Sequence, residues 1–255
     1  MTTDKPVLSQ RVGYLHFPKT AGTSLATALV ARTKDRKAVT SWKEAEESDL
    51  KKPQLVHGHL IYEQLLDALG PDGFLMTNFR HPIERSISLY RFRQRRSDDA
   101  EHEAAMTMSL AEFVSAGHGC QTYLPQLTSR IVADESGSPQ IVQSEGTVAE
   151  RLQLAEQRID SFSHVGISEY FDYSVLLLAR DLGTEPFWST VRVNTSPTVT
   201  TRDDFDPETI EEMTSNLVGE IRLYNYALKR FKRDLARAIN PNNSDAAGVD
   251  GNTGD

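Results

Sequence analysis

The sequence predicts an α/β protein with a central, mostly parallel sheet flanked by helices. Short apolar stretches, typical of buried strands, alternate with longer stretches whose apolar residues recur at helical spacing. The strands are predicted in VGYLHF, QLVHGH, FLMTNF and SHVGIS, at residues 12–17, 54–59, 74–79 and 163–168. The helices between and after them are predicted in SLATALVART (24–33), YEQLLDALG (62–70), IERSISLYRF (83–92) and VAERLQLAEQRI (148–159).

The residues near the C-terminus predict that a single domain ends in helices. Residues 206–239 start with Asp-Pro, carry acidic residues early and basic residues late, and therefore predict one long helix or a helix pair. The stretch DESGSP, at 134–139, predicts a turn or a small insertion. Residues 241–255 contain almost nothing apolar, so we expect a domain at 1–240 and a disordered tail at 241–255.

Composition excludes several classes of function. No run approaches the roughly 20 apolar residues that a membrane-spanning helix needs. The formal net charge of -8 argues against general attraction to nucleic acid or to an anionic membrane, so any bound anion must be held locally. The single cysteine, Cys120, cannot form an internal disulfide, and the first residues lack the pattern of a secretory signal. We expect a cytoplasmic protein that neither spans a membrane nor binds nucleic acid.

The stretch HFPKTAGTSL, at 16–25, joins the first predicted strand to the first predicted helix. A helix start leaves backbone N–H groups unpaired and carries partial positive charge, which favours anions. Gly22 allows close backbone approach, the hydroxyls of Thr20, Thr23 and Ser24 can donate, and Lys19 adds a charge. The alternative, that Thr23 or Ser24 merely caps the helix, does not explain Lys19. The pattern favours a phosphate site.

The loop is neither of the two common phosphate motifs. A Walker loop places its lysine directly after a glycine, whereas Lys19 follows a proline and precedes the glycine. No Gly-x-Gly-x-x-Gly follows a strand, because GHG at 117–119 lacks the third glycine. A dinucleotide fold therefore loses support.

A second candidate anion site follows the strand FLMTNF. Arg80 stands at the carboxyl end of that strand, where open α/β sheets bind ligands, and Pro82 predicts the start of a helix. Ser88 follows about two turns later, so Arg80 and Ser88 can converge on one anion. Taken alone, a strand-end arginine is as consistent with a structural ion pair.

With both motifs present, the chain resembles sulfotransferases that use 3′-phosphoadenosine 5′-phosphosulfate (PAPS), in particular the carbohydrate enzymes typified by the uronyl 2-O-sulfotransferases. In that family a Pro-Lys-Thr-x-Gly-Thr-Ser loop holds the 5′-phosphosulfate. An Arg-x-Pro-x-x-Arg-x-x-Ser-x-Tyr motif holds the 3′-phosphate, and Arg80, Pro82, Arg85, Ser88 and Tyr90 match it. The resemblance implies a single P-loop-like domain of the sulfotransferase fold. It assigns cofactor binding to Lys19, Thr20, Ala21, Gly22, Thr23, Ser24, Arg80 and Ser88.

The likeness continues more weakly outside the two motifs. It includes residues 164–183, the stretch VNTSPT at 193–198, which is similar to a loop over the nucleotide, and LYNYALKRF at 223–231. The residues from 93 to 161 do not resemble the family, and we expect the residues that determine acceptor specificity to lie there. The basic run RFRQRR, at 91–96, is consistent with a grip on an anionic acceptor or with a solvated helix end.

The stretch VHGHL supplies the candidate base. On a strand, His57 and His59 point to the same face, and an unperturbed histidine pKa of about 6.5 suits proton removal at neutral pH. The resemblance implies that His59 is the catalytic base and His57 its helper, with Lys19 as a further catalytic residue. Alternatives are core histidines, surface histidines or half of a metal pair, which no Cys/His cluster completes.

The implied reaction is in-line transfer of a sulfuryl group from PAPS to an acceptor hydroxyl, favoured here to be on a carbohydrate. The product nucleotide is adenosine 3′,5′-bisphosphate (PAP), and no metal is expected. Two other classes stay open at this point. One is a P-loop-type kinase or NTPase, and the other is a catalytically silent nucleotide-binding module.

Overall fold

The computed structural model describes residues 8–33, 54–70, 72–186 and 200–240. The expected tail at 241–255 and the stretch VNTSPT lie outside these ranges. Within them the chain forms six strands: β1 (Val12–Leu15), β2 (Leu55–Gly58), β3 (Phe74–Phe79), β4 (Arg130–Ala133), β5 (Pro139–Val142) and β6 (His164–Ile167).

Ten α-helices occupy most of the remaining described chain. They are α1 (Gly22–Val30), α2 (Tyr62–Leu69), α3 (Pro82–Gln94), α4 (His102–Thr107), α5 (Leu110–Ser115), α6 (Tyr123–Thr128), α7 (Val148–Ser161), α8 (Phe171–Asp181), α9 (Pro207–Asn216) and α10 (Val218–Ile239). Short 3₁₀ turns lie at Ser168–Tyr170 and Arg202–Asp204. Each strand and helix predicted from apolar spacing is present, with ends that differ by a few residues.

The central sheet has the order β2-β1-β3-β6, and all its strands are parallel. Apolar residues of α1 and α8 pack on one face, and those of α2, α7 and α10 pack on the other. A third apolar cluster joins α3, α5 and α9 beside the sheet. The predicted α/β class with a parallel sheet flanked by helices is confirmed.

The helical end of the domain is a pair rather than one helix. The Asp206 side chain accepts a hydrogen bond from Thr209 N and caps α9, whose first residue is Pro207. Leu217 separates α9 from α10. The stretch DESGSP forms the turn between β4 and β5, an antiparallel hairpin outside the central sheet.

The strand order brings two loops together. The chain passes from β2, on one side of β1, to β3 on the other side, which makes the β1/β3 boundary a topological switch point. The loops that follow β1 and β3 therefore begin side by side at the carboxyl edge of the sheet. No helix in the described ranges is both long and apolar enough to cross a membrane.

Candidate active site

The loop after β1 turns sharply into α1. Lys19 and Ala21 have φ angles of 66° and 63°, in the left-handed region that non-glycine residues rarely adopt. Ala21 is the N-cap residue, and no side chain caps the helix. The alternative that Thr23 or Ser24 serves as the cap is therefore wrong, because both lie inside the first turn.

The start of α1 presents unpaired backbone donors. The first backbone hydrogen bond into the helix runs from Leu25 N to Ala21 O, at 3.4 Å. The N–H groups of Gly22, Thr23 and Ser24 have no acceptor within the described part of the chain. The Thr20 hydroxyl is buried and donates to Phe17 O at 2.8 Å, so it stabilises the loop and its proton is not free for a ligand.

Gly22 is required by packing inside the protein. A Cβ at this position would overlap the His16 ring and lie 2.6 Å from the Tyr14 hydroxyl oxygen. Packing of His16 against the first residue of α1 is thus a structural reason for glycine at this position. The close approach of a ligand to Gly22 stays a prediction.

A side chain of β3 also fixes the loop after β1. The Asn78 side chain, in β3, donates from Nδ2 to Thr20 O at 2.5 Å and to Ser168 Oγ at 3.0 Å. Asn78 thereby ties the loop after β1 to the loop after β6. Asn78 is buried, and this use of its amide explains a polar residue in an otherwise apolar central strand.

Arg80 lies beside the Lys19 loop because β3 pairs with β1. Its guanidinium donates from Nη1 to the backbone oxygen of Lys19 at 3.3 Å. Its own backbone is held by Tyr123 of α6, whose hydroxyl accepts from Arg80 N at 3.0 Å and donates to Arg80 O at 2.5 Å. The two predicted anion sites are thus adjacent, and within the described ranges Arg80 forms no ion pair with a carboxylate.

The Lys19 side chain lies among cations. Burial and the neighbouring charges of Arg80 and Arg95 lower its pKa to about 8. Its Nζ lies 4.2 Å from the centroid of the Phe92 ring in α3. None of these three cations forms an ion pair with a carboxylate in the described ranges. The result is a local positive site in an acidic protein.

Ser88 and Arg85, both in α3, differ in their surroundings. Ser88 is partly buried and lies one helical turn before Phe92. Arg85 is fully buried, bonds the backbone oxygen of Cys120, and pairs with Glu220 of α10 at 3.4 Å. Arg85 is therefore a structural residue of the second motif, although its spacing alone does not separate it from Arg80.

Three histidines, His16, His57 and His59, lie close together where β1 and β2 end. Leu15 pairs with Gly58 in the parallel register of β1 and β2, so the next residues, His16 and His59, lie side by side. Their ring centroids are 5.1 Å apart. β2 ends at Gly58, so His59 lies just beyond the strand and is exposed, whereas His57 lies within it. His16 is a functional candidate that the sequence pattern did not single out.

Partial desolvation favours the neutral form of all three imidazoles. It lowers the pKa of His57 and of His59, and the charge of His59 lowers that of His57 further. The pKa of His16 falls to about 3 because of burial and then the charges of His59, His57 and Lys19. The buried Nδ1 of His57 has no hydrogen-bond partner in the described part of the chain. Across the described residues, no three His, Cys, Asp or Glu side chains are grouped to hold a metal ion.

Comparison with solved structures agrees with this architecture. A crystal structure of the mouse sulfotransferase SULT7A1 complexed with PAP matches the chain with a TM-score of 0.51. The match covers 90% of each chain at 13% sequence identity. The chain has the sulfotransferase fold. A sulfotransferase from Alicyclobacillus acidocaldarius also matches, at 16% identity and a TM-score of 0.45, over 88% of this chain and 100% of that one.

No protein-family model and no curated protein sequence matches the chain. The likeness is therefore one of fold, and the more specific resemblance to uronyl 2-O-sulfotransferases stays a prediction that depends on the two motifs.

Proposed function

We propose that the chain is a sulfotransferase that moves a sulfuryl group from PAPS to a hydroxyl group of a carbohydrate. The observation that carries this proposal is the adjacency of Lys19 and Arg80, two cations without a carboxylate partner in the described ranges, at the switch point of a sulfotransferase fold. Two adjacent cationic loops suit a ligand with two separate anionic groups, and PAPS is such a ligand.

The residues present fit this donor. The free N–H groups at the start of α1 and the Lys19 ammonium would hold the 5′-phosphosulfate, while Arg80 and Ser88 would hold the 3′-phosphate. The mouse structure that shares this fold was solved with PAP. When bound, the donor supplies an activated sulfuryl group.

The chain's own residues supply proton transfer and charge stabilisation. His59 would remove the proton of the acceptor hydroxyl while the acceptor oxygen forms its bond to sulfur and the bond from sulfur to the bridging oxygen breaks. Because partial desolvation lowers the pKa of His59, the neutral imidazole that can accept this proton is favoured. Lys19 and the helix N–H groups would stabilise the charge that develops on the leaving bisphosphate. His57 lies next to His59 and would assist it.

The proposed acceptor class rests on the resemblance to carbohydrate sulfotransferases and on the exposure of His59. The imidazole of His59 is the exposed member of the cluster and lies at the edge of the sheet, where an acceptor hydroxyl on a large, water-soluble molecule can reach it. A carbohydrate fits this requirement.

A transfer assay tests the proposal. The full chain is incubated with PAPS carrying a labelled sulfuryl group and a panel of carbohydrates, and His59→Ala is compared with His102→Ala. We expect labelled product, a loss of roughly 100-fold or more in turnover for His59→Ala, and little change for His102→Ala, whose ring contacts the backbone oxygen of Arg93 and not the histidine cluster. Magnesium-dependent ATP turnover without transfer, or PAP binding without transfer to any acceptor, would overturn the proposal.

A further inference from the structure

Phe92 is the one aromatic contact of the Lys19 ammonium in the described ranges. Its ring centroid lies 4.2 Å from Lys19 Nζ, within the range of a favourable cation–π interaction. Phe92 lies two residues beyond the last position of the second sequence motif and follows Ser88 by one helical turn, so both residues lie on one face of α3. The ammonium therefore lies over the face of α3 that carries Ser88.

The basic groups around Lys19 disfavour its positive charge. Arg80, after β3, and Arg95, at the end of α3, both lower the pKa of the lysine, and His16, after β1, is in electrostatic contact with it. No carboxylate in the described residues forms an ion pair with the ammonium. With two cationic neighbours, Arg80 and Arg95, the electron-rich face of the Phe92 ring is the favourable partner of the ammonium.

We propose that Phe92 is a positioning residue that holds the charged Lys19 side chain in the donor site, both before and after the donor binds. The identity of the donor rests on the proposed function, whereas the contact between Lys19 and Phe92 does not. The Lys19 backbone is already fixed by its left-handed φ angle and by the Arg80 bond to its oxygen. The remaining freedom lies in the side chain, and Phe92 restricts it.

The electron-rich π face of the ring, rather than its size, distinguishes this role from ordinary packing. Leucine fills a similar space without a π face, and tryptophan provides the strongest π face of the natural side chains. Phe92→Leu and Phe92→Trp are thus matched variants. Phe205→Leu is a control, because it removes a ring that lies 5.9 Å from another cation of α3, Arg91.

The first experiment uses no nucleotide. Lysine labelled with ¹³C at Cε is titrated by NMR in the free full-length protein, and Lys19→Arg identifies the Lys19 signal. Loss of the ring contact should lower the Lys19 midpoint by about 0.4 to 1.5 pH units in Phe92→Leu, with the midpoint kept in Phe92→Trp and Phe205→Leu. An unchanged midpoint in Phe92→Leu, or an equal fall in both Phe92 variants, would overturn the inference.

The second experiment measures PAP affinity between pH 6.5 and 9. Phe92→Leu should bind PAP roughly threefold to tenfold more weakly above pH 8, and Phe92→Trp should match the unmodified protein. In the Lys19→Arg background, Phe92→Leu should not change the pH profile, because arginine does not titrate in this range. Equal affinity of all Phe92 variants would contradict the inference.

The two experiments separate the proposals. If the unmodified protein does not bind PAP, the proposed function fails, and the NMR titration alone decides whether Phe92 holds Lys19. If PAP binds and Lys19→Ala weakens binding while Phe92→Leu changes neither measurement, the inference fails and the proposed donor site stands.

Discussion

The hydroxyl of Tyr123 makes two hydrogen bonds to one residue, Arg80. It accepts from the backbone nitrogen at 3.0 Å and donates to the backbone oxygen at 2.5 Å. Through this pair, α6 fixes the point at which the chain leaves β3 and enters the second motif. The guanidinium of Arg80 starts from that fixed point and reaches the Lys19 loop.

Tyr123→Phe should weaken PAP binding by roughly 5-fold to 30-fold. The change removes both hydrogen bonds and lets the Arg80 backbone shift, and each hydrogen bond is worth about 1 kcal/mol. Calorimetry measures the affinity. Tyr226→Phe, which removes a hydroxyl bonded to Asp160 on α7, is the matched control and should bind PAP normally. Equal PAP affinity of the two variants would show that Tyr123 does not position Arg80.

Gly22→Ala should destabilise the fold by about 1 to 3 kcal/mol, the usual cost of overpacking. The new methyl group would overlap the His16 ring. Chemical denaturation of Gly22→Ala, His16→Ala and the double variant measures the coupling. Because His16→Ala removes the ring, the double variant should recover part of the loss, although the Tyr14 hydroxyl still lies close. Strictly additive effects would contradict the packing role of Gly22.

Arg85→Ala should lower stability by about 3 to 5 kcal/mol, because it leaves the buried carboxylate of Glu220 without its partner. That carboxylate also accepts from the backbone nitrogens of Thr122, Tyr123 and Leu124 at the start of α6. Urea denaturation measures the loss, and PAP affinity per folded molecule should change little. A stable variant that binds PAP poorly would make Arg85 a nucleotide contact instead.

The sequence predicted the fold and the two loops because these depend on local patterns. Apolar spacing placed the central strands and their helices, and Pro82 and Asp206 marked helix starts that the structure confirms. The adjacency of Lys19 and Arg80 also depends on the pairing of β1 with β3, which apolar spacing does not give.

What the sequence did not reveal depends on contacts between distant residues. Asn78, Tyr123 and Phe92 act through partners up to 90 positions away, and no local spacing encodes such a contact. The polar Asn78 inside an apolar strand was the one available signal. His16 is the first residue of the stretch HFPKTAGTSL, but its contact with His59 depends on the register of β1 and β2.

His16 should make the fold sensitive to acid. Its pKa is lowered to about 3 in the folded protein, so the unfolded chain takes up a proton near pH 6.5 that the folded chain does not bind. The free energy of unfolding is therefore not reduced by His16 above pH 6.5, and it falls as the pH drops from 6.5 towards 3. His16→Phe should reduce the loss between pH 7 and pH 5 by up to about 2 kcal/mol, measured by urea denaturation. An unchanged pH dependence would show that His16 titrates normally in the fold.

The most direct test of the two-cation site is calorimetric titration of PAP into the unmodified protein, Lys19→Ala, Arg80→Ala and the double variant. Each single change should weaken binding by about 2 to 3 kcal/mol, the scale of charge-assisted hydrogen bonds, and the double variant should show little binding. Unchanged PAP affinity in both single variants would contradict the account.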